Sequence, residues 1–174
     1  MNCYRVINTD DSEAYEALIL KLVEKSESFC LVYFRYFQNQ KEHQKCKEIR
    51  NQLRPLVLWR KNMKGKPLPL CGVPSELSPY SEERMVMYRC DVAALSTLKM
   101  VSGIDQWEFP DYPACLSFFK NGVAWFASAY DEGLGDNELV CDDDEFLLEL
   151  IEKGVALEWI GERQEGDLYR NPMG

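Results

Sequence analysis

The chain has 174 residues, 46% of them apolar, and a formal net charge of −9. That length suits one domain with a sizeable core and is short for two. The acidic balance argues against general nucleic-acid binding, which needs basic stripes that displace counterions from phosphate.

No run reaches the roughly 18 to 20 apolar residues of a membrane span, and Met1 to Asp11 lacks the basic-then-apolar pattern of a secretion signal. A soluble, cytoplasmic protein is expected. The seven cysteines (Cys3, Cys30, Cys46, Cys71, Cys90, Cys115 and Cys141) are odd in number, and no two lie within 15 residues of each other. That spacing excludes a local Cys-x-x-Cys redox motif and a zinc knuckle. Cys30, Cys90, Cys115 and Cys141 sit in or beside apolar runs, where a free thiol behaves as a small hydrophobe; reduced, buried thiols suit a reducing compartment.

In chain order, Cys3 to Asn8 reads as a short strand. Asp10 with Glu13 fits a helix N-cap, and Ala14, Tyr15, Leu18, Ile19, Leu22 and Val23 recur at helical spacing, predicting a helix from Ser12 to Lys25. Phe29 to Phe34 is an almost unbroken aromatic and β-branched run, as in a strand covered on both faces. Lys41 to Arg54 keeps only Cys46, Ile49 and Leu53 apolar, a thin amphipathic stripe that Pro55 interrupts. Trp59 to Glu83 gathers four prolines and two glycines without periodicity and reads as a long loop. Met85 to Cys90 predicts a strand and Val92 to Met100 a short helix. Ala114 to Phe119 and Val123 to Ala129 flank Lys120-Asn121-Gly122, the signature of a tight hairpin whose turn needs positive φ. Asp142 to Glu145 places carboxylates at the start of a helix that Gly154 stops.

The order β-α-β-α-loop-β-α-β-β-α, with Tyr112-Pro113 before a strand and Phe119-Lys120-Asn121-Gly122 after it, resembles the thioredoxin-like superfamily. Phe109-Pro110-Asp111, the stretch Asp131 to Cys141 and the closing helix with Gly154-Val155-Ala156-Leu157 make it most similar to the phosducin-like proteins. The resemblance implies an α/β fold with a central mixed sheet of four to five strands flanked by helices, and a Pro-rich insertion before the third strand. It spans residues 1–160, with the insertion at 59–83 and a polar tail at 161–174. Pro113 stands where that family has its cis-proline, although its spacing to Gly122 is one residue longer, implying a bulge or a shifted turn.

In the same alignment the redox dithiol falls on Asn39, Gln40, Lys41 and Glu42, so neither cysteine is present. Dithiol exchange needs a nucleophile and a resolving thiol and fails without them. The resemblance therefore implies a redox-inactive adaptor or co-chaperone, not an enzyme, that assists folding or assembly of cytosolic proteins, with the cytosolic chaperonin or its clients as partners. G-protein βγ binding is not expected, because the chain enters its first strand without the helical N-terminal region that those proteins use. The alternatives are a monothiol oxidoreductase acting through Cys46 or another exposed cysteine, and a structural subunit of a larger assembly.

Candidate partner-binding residues are Tyr36, Phe37, Lys41, Lys45 and Tyr112, an aromatic and basic corner beside Pro113. His43 lies three residues before Cys46, sharing a helix face, yet nothing marks the orienting group that Cys-His catalysis requires. Asp142, Asp143 and Asp144 lack the alternation of a calcium loop and fit helix capping better. No metal and no cofactor is expected. Charge is segregated: residues 41–66 hold nine bases and two acids, and residues 131–149 hold nine acids and no base. Such a molecule steers acidic partners to the second helix and basic ones to the C-terminal side.

Overall fold

A computed structural model describes residues 1–7, 11–36, 44–63, 81–107, 111–128 and 137–172. The eight strands are β1 (Asn2–Ile7), β2 (Ser28–Tyr36), β3 (Val57–Asn62), β4 (Ser81–Arg89), β5 (Ala114–Lys120), β6 (Val123–Ala127), β7 (Glu138–Val140) and β8 (Ala156–Glu162). The helices are α1 (Ser12–Lys25), α2 (Gln44–Gln52), α3 (Leu95–Leu98) and α4 (Asp144–Glu152).

The strands form one sheet in the order β3-β4-β2-β5-β6-β7-β1-β8, antiparallel throughout. This overturns the expected thioredoxin-like fold with its mixed sheet of four to five strands. Three strands escape the sequence reading. The segment read as loop from Trp59 opens inside β3, which returns against β4; the acid-rich stretch after the hairpin ends in β7; and the residues after Gly154 form β8. β3 and β8 are sheet edges, and their half-exposed residues leave only a faint alternation to read. β1 lies between β7 and β8 at the far end.

β2 has the two-faced burial expected of it. Phe29, Leu31 and Tyr33 join the main core, and Cys30 and Val32 join a second, smaller one. Among the described residues the four helices feed the main core, through Leu18, Leu22, Ile49, Leu98, Phe146 and Leu150 among others. On the opposite face Met63, Met85, Met87 and Phe119 cluster with Cys30 and Cys115. The C-terminal residues return to this face. Ala124 donates to the Tyr169 carbonyl at 2.8 Å, Asn171 donates to the Gly122 carbonyl at 2.8 Å, and the Tyr169 ring meets Phe119 edge-on.

Local signals hold at several points. Asn121 and Gly122 have φ of 52° and 74°, which the two-residue turn between β5 and β6 requires. A bulge interrupts β5 where Cys115, buried, takes φ 54°. The α1 cap is Asp11, one residue later than expected, with its carboxylate accepting from Glu13 N at 2.9 Å. Helix α4 starts at its cap Asp143, and Gly154 follows it with φ 87°.

Candidate functional site

The corner expected to bind partners is only partly described. Asn39, Gln40, Lys41, Glu42, His43 and Phe37 lie outside the described residues, and Tyr36 is the last residue of β2. Lys45, Cys46, Tyr112 and Pro113 do come together. The ammonium of exposed Lys45 stands 4.6 Å over the Tyr112 ring, and Tyr112 meets Trp107 edge-on. Hydrogen bonding to Tyr112 raises the Lys45 pKa. Pro113 is buried directly before β5. Behind this corner the Trp107 indole N–H donates to the Tyr15 hydroxyl at 2.8 Å, which donates to the Leu98 carbonyl at 2.7 Å.

The geometry gives Cys46 a packing role. It is 5% exposed, and its thiol donates to the Asp111 carbonyl at 3.6 Å. None of the six described cysteines is joined in a disulfide with another of them. Burial, with Glu138 beside it, pushes Cys3 up to about 11, and burial pushes Cys90 up to about 12. Cys141 is also raised, chiefly by burial. These shifts oppose nucleophilic thiol chemistry, which needs a lowered pKa.

The Asp142 to Asp144 cluster serves structure. Asp142 accepts from the Asn2 backbone N–H at 2.6 Å, and Asp143 caps α4 by accepting from Phe146 N at 3.0 Å. Among the described residues no group of His, Cys, Asp or Glu is arranged to hold a metal ion. No helix among them is long and apolar enough to cross a membrane. A shallow groove of about 340 Å³ lies between the α4 N-terminus and the β5–β6 turn. Its floor is Trp125, Phe146 and Val140, and its charges answer one another, Lys25 with Asp143 and Lys120 over Trp125.

Sheet order turns the charge segregation into geography. The basic residues of β3 stand at one edge, and the acids of β7 and β8 stand toward the other. Residues 138–167 hold eleven acids and two bases. Within that acidic end, large apolar side chains are exposed: Trp159 at 60%, Leu148 at 59% and Ile151 at 53%. Tyr4, whose side chain packs on the main core, pairs with Trp159, so Trp159 projects on the helix side of β8. In α4, Phe146, Leu147 and Leu150 face the core and Glu149 reaches Lys21 of α1. Leu148 and Ile151, three residues apart, therefore share the opposite flank, and α4 touches β8. The sequence reading missed this surface because it read no strand after Gly154; the alternation of Val155, Leu157 and Trp159 was the signal for it.

Comparison with protein-family models, with curated proteins and with solved structures finds no match.

Proposed function

We propose that this protein is a non-catalytic binding module that docks a basic segment of a protein partner on its acidic end, across β8 and the outer flank of α4. The observation that carries the reading is the exposure of Trp159, Leu148 and Ile151 inside a segment with eleven acids and two bases. Exposed apolar side chains rimmed by charge mark interaction surfaces, and aromatic anchors supply much of their binding energy. The surrounding carboxylates raise the encounter rate of a cationic partner. The co-chaperone expectation leaned on a thioredoxin-like scaffold that the antiparallel sheet replaces, so the chaperonin is carried no further as a partner. A monothiol oxidoreductase would need Cys46 accessible and ionised, against its burial and its hydrogen bond.

The test is affinity purification with wild-type protein and a Leu148→Ser/Trp159→Ser variant, followed by binding measurements on the purified partner. The expected partner is basic, is released by salt, and is lost by the variant at unchanged melting temperature. Equal retention by the variant sinks the reading. Disulfide reductase turnover together with one fast-alkylating cysteine would put the oxidoreductase in its place.

A further inference from the structure

The two edges of the sheet are built differently. β3 carries Arg60 and Lys61 within six residues, the kind of basic guard that keeps an edge from pairing. β8 pairs with β1 along one side and meets no strand on the other among the described residues. It runs seven residues without lysine or proline. Its only irregularity is near the end, where Gly161 has φ 133° and the register with β1 shifts. The stretch Ala156 to Trp159, before the bulge at Ile160, thus offers a straight row of backbone donors and acceptors, with Trp159 exposed on its helix side.

Charge selects the occupant. Pairing β8 with a second copy of itself would press two ends of eleven acids each together, in molecules of net charge −9. An extended basic segment meets the opposite situation. We infer that β8 takes up such a segment of a partner protein as a ninth strand. Alternate side chains of an added strand point to opposite faces. Its apolar residues lie against Trp159 and the α4 flank, and its lysines or arginines alternate to the face where Glu158 stands beside Arg5. The inference rests on the binding function proposed above and adds the mode of recognition.

The probes are a short peptide alternating valine and lysine, its valine–glutamate counterpart, and a valine–lysine peptide N-methylated at every residue. The readouts are Trp159 fluorescence and amide hydrogen exchange across residues 156–160 in the intact protein. The valine–lysine peptide is expected to bind and slow exchange at β8 by about tenfold or more, with affinity falling as salt is added. Trp159→Thr, which keeps a strand-forming residue, weakens binding by about tenfold. Binding without slower exchange at β8, or equal binding of the N-methylated peptide, overturns strand addition while leaving a basic partner in place. Equal binding of the acidic and basic peptides, or binding of neither, overturns both. Concentration-dependent dimerisation abolished by Trp159→Thr also overturns the inference, because a second copy then holds the edge.

Discussion

Burial sets the chemistry of the titratable side chains. Cys3 rises from 9.0 to about 11 and Cys90 from 9.0 to about 12. Tyr88, buried against the Tyr33 hydroxyl at 2.8 Å, rises from 10.0 to about 12. In each case the folded state holds its proton more tightly than the unfolded chain. The stability these groups contribute is therefore complete below about pH 9 and is lost as pH climbs toward the folded values. Melting temperature is expected to fall steadily from pH 9 to 11, and Cys90→Ala to flatten that slope in calorimetry. Since the thiolate is the reacting form, native alkylation of Cys3 at pH 8 should run about a hundredfold slower than in the unfolded chain, measured by mass spectrometry. Fast alkylation of Cys3 would contradict its burial. Tyr15→Phe would strand the buried Trp107 N–H and the Leu98 carbonyl together. A loss of about 1–3 kcal/mol in urea unfolding is expected.

At the scale of elements, what could be read from the residues was what local chemistry decides. Asn121-Gly122 dictates its turn because both residues tolerate positive φ, and α1 follows from six apolar residues at helical spacing. Gly122→Ala is accordingly expected to cost about 1 kcal/mol, since φ of 74° strains any side chain. Asp143→Ala removes the α4 cap and should cost about 1 kcal/mol as well, seen as lower helicity on mild heating. Strand partnership was not legible, because pairing joins residues far apart in sequence. The element order matched a thioredoxin-like chain closely enough to suggest its topology, yet the same order permits an all-antiparallel sheet once β3, β7 and β8 are counted. Those three are short or half-exposed, so periodicity speaks weakly in them. The candidate site divides the same way. That Lys45 and Tyr112 share one corner was read from type and position, and their side chains do meet, whereas Trp159 needed knowledge of which strand forms the edge.

Over the whole molecule, placing β3 and β8 at opposite ends makes the protein an electrical dipole along the sheet. Its association with a cationic partner should slow several-fold between low and physiological salt, with dissociation changing less, in surface plasmon resonance. A rate insensitive to salt would leave the acids as solubilising surface only. The same topology also fixes an order of events in time. β1 is made first, yet its neighbours are the last strands made, with Arg5 paired to Glu138 on one side and to Glu158 on the other. On the ribosome, β1 therefore waits without either neighbour until the C-terminal third has emerged, while β2, β4 and β5 can already assemble. Closure of that end is a late step, so Val6→Ala, which thins the packing of β1, should hasten unfolding and leave the refolding rate nearly unchanged.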